Sequence, residues 1–331
     1  MIENFLNRRY STRNLSDEQF EEVLPTLAKE LSEVSFKPEY TAEELHKDWQ
    51  SLCMWNANGI RINSTSRIGL KLCEQFFPNF WDIEDTKGNS FRKLWSDSKF
   101  LERVLKWNRT SHSTPYLSEL RRGVYFCGGL CKSTMYRPQM AKLIAKGCKR
   151  VLDPCMGWGG RMLGVVSSGA EYVGFDPNTE TYKHLNELSE FLGIQHRVRL
   201  ICDDALQMNK YDIGKFDAVL TSPPYFDLEV YCKEETQSVS NLNSYDLWND
   251  KFLTPLIQEC VSRLNPDGKS CWNVAKVRTH DMWESVTAAH LKVGFKLHEE
   301  YEVCSSARQV HQKKMKKSVD RTVVYNRDIF V

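Results

Sequence analysis

Val151-Leu152-Asp153-Pro154-Cys155-Met156-Gly157-Trp158-Gly159-Gly160 decides the fold of this chain. A short apolar run ends in an acid and a proline, a glycine-rich turn follows, and an apolar helical pattern begins at once. Glycine permits positive φ and lets another group approach the main chain closely. Such a turn between a buried strand and a helix forms the ligand-binding corner of open parallel sheets. The spacing predicts a strand over 150–155 and a helix over 160–168. The same texture repeats downstream, with strands predicted at 171–176, 198–203, 216–221 and 269–277, and helices at 179–192, 246–264 and 281–293. Fully apolar strands alternating with helices imply a parallel sheet covered on both faces. Residues 299–304 and 322–327 read as two more strands with no helix between them. They predict an antiparallel hairpin that closes the sheet.

Sixty-nine residues after Asp153, the apolar run 216–221 leads into Ser222-Pro223-Pro224-Tyr225. An exocyclic amino nitrogen is a poor nucleophile, because its lone pair is delocalised into the ring. Acceptors aimed at its N–H groups favour pyramidalisation and take up the charge that grows on nitrogen. The Ser222 hydroxyl and the Pro223 carbonyl suit that task, and the prolines fix the backbone that carries them. Tyr225 offers a flat face on which a base can stack. Asp176 ends the second predicted strand, where an acid can accept from both ribose hydroxyls of a nucleoside. Cys202-Asp203-Asp204-Ala205 ends the third.

In this order and spacing, the motifs resemble class I S-adenosylmethionine (SAM) dependent methyltransferases that modify an exocyclic amino group of a nucleobase. The resemblance covers about 145–331. It implies an α/β, Rossmann-like, seven-stranded and mostly parallel sheet with a terminal antiparallel hairpin. It implies SAM as cofactor, with Asp153, Pro154, Cys155, Gly157, Trp158 and Gly159 around its methionine part. Asp176 would take the ribose. Asp203, Asp204 and Ala205 would lie at the adenine, with Asp204 as the acceptor. Ser222 would touch cofactor and substrate, and Ser222, Pro223, Pro224 and Tyr225 would form the catalytic tetrapeptide. Ser133 to Pro138, ahead of a predicted helix at 138–146, resembles the segment beside the methionine end of SAM.

The resemblance associates a leading Ser with the 4-amino group of cytosine, and Asp or Asn with the 6-amino group of adenine. The expected function is therefore DNA amino-methylation, at cytosine N4 first and adenine N6 next, in a cytoplasmic enzyme of bacterial or phage type. An RNA amino-methyltransferase and an enzyme acting on a protein glutamine amide are alternatives. A silent SAM-binding subunit of a nucleic-acid-binding complex is another, from a different class. Intact catalytic and glycine motifs argue against it.

Formal net charge is only +2, so no global field draws this 331-residue chain to nucleic acid. The distribution is uneven. Residues 1–59 carry 6 Lys/Arg against 11 Asp/Glu, and residues 60–125 carry 12 against 7. The run 307–321 carries Arg308, Lys313, Lys314, Lys316, Lys317 and Arg321 against Asp320 alone. It falls between the last two strands, at the sheet edge that holds Ser222, so it is the candidate for phosphate contact. Residues 1–125 read as a mainly helical domain preceding a catalytic domain at 126–331. Helix starts are predicted at Ser16 and Thr41, and a helix over 89–107. Arg61, Arg67, Arg92, Lys93, Arg103, Lys106 and Arg109 mix there with Phe91, Trp95 and Trp107. Such mixing suits nucleic-acid contact, so a target-binding role is expected for this domain.

Eleven scattered cysteines show no pairing pattern, which implies reduced thiols. Cys127 and Cys131 have no partner pair at metal spacing, so no metal is expected. No apolar stretch is long enough to span a membrane, and the first residues lack the features of a secretory signal.

Overall fold

The computed structural model describes residues 1–56, 62–63, 66–85, 87–130, 133–226, 230–232, 234, 242, 244–274, 276–277, 280–304 and 321–327. Its strands are β1 (Ile62–Asn63), β2 (Arg150–Asp153), β3 (Glu171–Phe175), β4 (Val198–Ile201), β5 (Phe216–Thr221), β6 (Leu264–Val274), β7 (Lys276–Val277), β8 (His280–Asp281), β9 (Phe295–Cys304) and β10 (Arg321–Arg327). Eight of them form one sheet in the order β1-β9-β10-β6-β5-β2-β3-β4, while β7 and β8 pair separately. All neighbours in the large sheet are parallel except β10, which runs antiparallel to both β6 and β9. The chain steps outward from β2 through β3 to β4, then returns to place β5 on the other side of β2. The strand order therefore reverses between β2 and β5, and ligands bind at the carboxyl edge of such a switch.

Alternation along the strands separates two cores. Val151, Tyr172, Ala218 and Leu220 face one layer with Leu163, Val166, Leu185 and Leu188. Leu152, Val173 and Val219 face the other, with Leu253, Ile257 and Val286. Successive side chains of a strand point to opposite faces, so a parallel strand covered on both sides reads as unbroken apolar sequence.

The seven expected strands are present, and β1 adds an eighth at the edge, parallel to β9. β6 begins at Leu264, five residues before the predicted start. Its pairing with β5 shifts register between Phe216 and Ala218, which accommodates the turn-like Pro266 and Gly268. The single helix predicted over 246–264 is instead Tyr245–Trp248, a π turn Asn249–Leu253 and Thr254–Ser262.

The chain divides into two units, one of Met1–Glu39, Pro78–Thr134 and Leu228–Tyr231, the other of Tyr40–Phe77, Met135–Asp227 and Cys232–Val331. This differs from a boundary at residues 125/126. Helix Ala42–Met54, started by a capping box at Thr41 and Glu44, belongs to the sheet-bearing unit. Leu52, Leu72 and Phe77 share a core with Leu188, and His46 stacks on Phe191 at 4.5 Å. The other unit is helical. Asp17–Glu33 begins with a capping box at Ser16 and Gln19. The helix predicted over 89–107 is two, Phe91–Trp95 and Ser98–Thr110, because Asp97 caps the second. Leu117–Gly128 completes the layer.

Candidate active site

The glycines after β2 serve two purposes. Gly157 and Gly159 hold φ of 56° and 73°, the left-handed region. A Cβ on Gly159 would come within 2.9 Å of the Phe77 ring, and one on Gly160 within 2.0 Å of the Tyr136 carbonyl oxygen. These two positions let helix Gly160–Ser167 lie against its neighbours. Gly157 is different, since no atom lies closer than 3.5 Å to where its Cβ would stand. It leaves an open face on the loop. Pro154 is buried, and Trp158 packs against the core cluster that includes Phe77 and Leu188. Burial pushes the Cys155 thiol well up, so it stays protonated.

Asp153 is fully buried. Its Oδ2 accepts from Arg161 Nε at 2.6 Å and from the Tyr172 hydroxyl at 2.8 Å, while Oδ1 accepts from Cys155 N at 3.2 Å. Both oxygens are thus engaged within the fold. Through these bonds Asp153 shapes the loop that is expected to meet the cofactor.

Asp176 bridges two corners of the sheet. Its Oδ2 accepts from Gly157 N and its Oδ1 from Asn178 N, both at 3.0 Å. Its own N–H donates to the Ile201 carbonyl at 3.2 Å, which ties the ends of β3 and β4. Burial raises its pKa to about 6, against the lowering effect of the two backbone donors.

At the end of β4 the two acids part. Asp203 accepts from Asp204 N and from the Tyr211 hydroxyl, each at 2.8 Å, so both of its oxygens are occupied. Asp204 Oδ1 caps the turn Ala205–Lys210 through Leu206 N at 2.9 Å. Its Oδ2 makes no hydrogen bond among the described residues, and burial raises the pKa of this carboxyl. Asp204 is the acid with an oxygen to spare, and Ala205 is buried beneath it.

Ser222 follows the last residue of β5, beside the glycine loop across the switch. Its Oγ lies 3.4 Å from the Asn273 carbonyl oxygen and 3.5 Å from Asn273 Nδ2. Pro223 is buried, and Ser222, Pro224 and Tyr225 are half-buried. Residues that sequence reasoning passed over complete this edge. Phe226 meets Tyr245 and His280 edge-on, and those two rings stack at 4.1 Å. Glu234 accepts from Thr179 Oγ1 at 2.6 Å, at the start of the helix that follows Asp176. No spacing rule links these residues, because they join only through the sheet.

Arg308, Lys313, Lys314, Lys316 and Lys317 lie outside the described residues. The flanking strands are described, and Arg321 at the start of β10 pairs with Val274 at the end of β6. β10 therefore begins at the same carboxyl edge as Ser222. The basic–aromatic mixture upstream reads differently in three dimensions. Phe91 and Trp95 are core residues, 3% and 1% exposed. Arg92 pairs with Asp82, Lys93 with Glu84, Lys106 with Glu21 and Arg109 with Asp17. These partners neutralise much of the charge that suggested phosphate contact.

The open face at Gly157, the Asp176 carboxylate with one donor on each oxygen, and the free Oδ2 of Asp204 line successive strand ends. A ligand with a ribose diol and an adenine amino group fits this acceptor set, and no phosphate cradle is present among the described residues. The strand order is that of the class I methyltransferase fold, and this acceptor set fits SAM as the cofactor. Asp176 would hold the ribose, Asp204 the adenine amino group, and the loop 155–158 the methionine part.

Within that class, the sequence profile of the RNA cap guanine-N2 methyltransferase family matches residues 148–255, a stretch that includes both the glycine loop and Ser222-Pro223-Pro224-Tyr225. No curated protein sequence matches the chain. Among solved structures, TrmN from Thermus thermophilus is 17% identical at a TM-score of 0.39, over 57% of this chain and 48% of TrmN. The chain thus spans about half the length of that relative. A putative rRNA-methylase from Clostridium thermocellum is 16% identical at 0.40, over 59% and 99%. Magnesium protoporphyrin IX methyltransferase (ChlM) from Synechocystis PCC 6803, solved with bound SAM, is 12% identical at 0.39, over 58% and 79%. The fold assignment rests on the strand order itself.

Proposed function

We propose that this chain transfers a methyl group from SAM to an exocyclic amino nitrogen of a nucleobase in RNA, the 2-amino group of guanine first. The observation that carries this reading is Ser222-Pro223-Pro224-Tyr225 at the carboxyl end of β5, beside the glycine loop of β2. The family profile over 148–255 favours guanine in RNA over the DNA reading drawn from the tetrapeptide alone. The leading Ser favours a second reading, cytosine N4 in DNA.

SAM, when bound, supplies an electrophilic methyl group on a sulfonium. Ser222 Oγ and the Pro223 carbonyl accept the two N–H groups of the target amine and direct its lone pair. The prolines hold both acceptors before the substrate arrives. Tyr225 stacks on the base and sets its plane. Orientation supplies much of the acceleration, since no side chain needs to remove a proton before attack. The cations of the run 308–317 are the groups assigned to phosphate contact. A base within a duplex would have to be flipped out, so single-stranded RNA suits this site better.

The test is methyl transfer from labelled SAM to unmodified RNA and, separately, to unmodified DNA, followed by nucleoside mass spectrometry. N2-methylguanosine from RNA is the expected product. N4-methylcytosine from DNA would replace this reading with the second one. No label on either, with SAM binding shown by calorimetry, would mean a silent subunit or another substrate.

A further inference from the structure

Asn273 on β6 and Thr322 on β10 are directly opposite each other in the sheet. Around them runs a chain of four polar side chains whose hydrogens can be counted. Thr322 is 2% exposed, and its Oγ1 donates to Asn273 Oδ1 at 3.2 Å. A hydroxyl has one hydrogen, so the 3.1 Å contact between the Tyr136 and Thr322 hydroxyls must use the tyrosine's proton. Burial raises the Tyr136 pKa, which keeps that proton in place. Because Asn273 Oδ1 is the accepting end, the amide is turned so that Nδ2 faces Ser222 Oγ, 3.5 Å away. The Ser222 hydrogen goes to the Asn273 carbonyl at 3.4 Å. One donor has then been received by the serine oxygen and its only hydrogen given away. What remains to face a substrate is a lone pair.

The far end of the chain is anchored as well. The Arg161 guanidinium lies over the Tyr136 ring at 5.4 Å and pairs with buried Asp153 at 2.6 Å. The same arginine that shapes the glycine loop thus steadies the tyrosine.

We propose that Tyr136, Thr322 and Asn273 are positioning residues that fix Ser222 as a hydrogen-bond acceptor, so that the site takes an N–H donor, an amino group, and rejects a ring carbonyl or ring nitrogen that only accepts. This inference rests on the reading of Ser222 as an acceptor for the target amine. It reaches beyond that reading by assigning the selection to three residues on other elements, none of which touches the reacting atoms.

Thr322→Val keeps the shape and removes the hydroxyl, while Thr322→Ser keeps the hydroxyl. With the full-length chain, labelled SAM and an unmodified single-stranded RNA transcript, Thr322→Val is expected to lower kcat about tenfold, the worth of one hydrogen bond. The KM for RNA and the Kd for SAM should change less than about twofold, and Thr322→Ser should restore turnover. In a Ser222→Ala background, Thr322→Val should add nothing, because coupled residues are not additive. Wild-type kcat in Thr322→Val, or the same fractional loss with and without Ser222, overturns the proposal. Full turnover by Ser222→Ala alone is a separate result that overturns the acceptor role of Ser222 instead. Crystal structures of the wild type and Thr322→Val give a readout independent of the RNA chosen. A turned Asn273 amide and a moved Ser222 rotamer in the variant support the relay, and unmoved side chains overturn it.

Discussion

The carboxylate of Asp176 accepts the backbone N–H of Gly157 at 3.0 Å, nineteen positions away in sequence. The acid at the end of β3 and the glycine loop at the end of β2 are therefore one structural piece. Whatever disturbs the acid also loosens the loop.

Asp176→Asn is the first prediction. The amide presents one oxygen where the carboxylate presents two, and its NH2 confronts a backbone donor, Gly157 N or Asn178 N. SAM affinity should fall at least about tenfold, with the fold kept. In the wild type, affinity should fall as pH drops through about 6, where the buried carboxyl takes up a proton and loses an acceptor. The stability effect has the opposite sign. A pKa raised from 3.8 to about 6 means the native state holds this proton more tightly than the unfolded chain. Its contribution is therefore full below 3.8 and is lost as pH rises through 6. Calorimetric SAM titrations at pH 7.5 and 5 check the binding half. Equal affinities would contradict it.

The loop glycines should separate into two kinds. Gly160→Ala drives a methyl into the Tyr136 carbonyl, 2.0 Å from its Cβ position, in tightly packed backbone. The cost should exceed about 3 kcal/mol and appear as a large loss of Tm or insoluble protein. Gly157→Ala meets no obstruction and pays only for its positive φ, about 1–2 kcal/mol. Its main effect should be weaker SAM binding. Thermal unfolding beside SAM calorimetry distinguishes the two. Equal Tm losses would erase the division.

Much of the sheet was legible because buried parallel strands are written as unbroken apolar runs. β5 occupies the predicted 216–221, while β2 stops at Asp153 because Pro154 has no N–H for the ladder. The positions of Asp176 and Asp204 just past strand ends were legible because each closely follows a mostly apolar run. What stayed hidden depended on partners far along the chain. Leu52, Leu72 and Phe77 carry no local mark of joining the core of the sheet. Asp17, Glu21, Asp82 and Glu84 turned an apparent basic surface into ion pairs, which no spacing announces. The pairing of Asn273 with Thr322 needs the register of β6 against β10, and a single sequence does not contain it.

His290 supplies a prediction about stability. Its ring stacks on Tyr325 at 3.9 Å, Nδ1 donates to the Val286 carbonyl at 2.8 Å, and Nε2 accepts from Ser270 Oγ at 2.9 Å. Trp272 Nε1 donates to the same serine oxygen at 2.8 Å, which leaves the serine's hydrogen for the imidazole. Burial lowers the pKa from 6.5 to about 4. The unfolded chain therefore binds a proton below pH 6.5 that the native state refuses until about 4. Stability from this group is full above 6.5 and falls between 6.5 and 4, by up to about 3 kcal/mol. Asp176 moves the other way over much of this range, so the measurement must be a difference. The urea midpoint of wild type minus that of His290→Gln should shrink from pH 7.5 to 5. A constant difference would show that the imidazole is not held neutral.

The basic interval between β9 and β10 can be tested through salt. Both strands meet the interval at the carboxyl edge, since Arg321 pairs with Val274 on one side and Glu302 on the other. Lysines that neutralise phosphate release condensed counterions, so each contributes about 0.7 to the slope of log K against log salt for single strands. Replacing Lys313, Lys314, Lys316 and Lys317 with Glu should weaken binding of a single-stranded RNA and reduce the slope by about 3. SAM binding should be unchanged, because Asp176 and Asp204 lie at the ends of β3 and β4 on the opposite wing of the sheet. Fluorescence anisotropy between about 50 and 200 mM salt gives the slope. A slope equal to that of the wild type would remove these four cations from the interface and leave phosphate contact to the remaining surface of the chain.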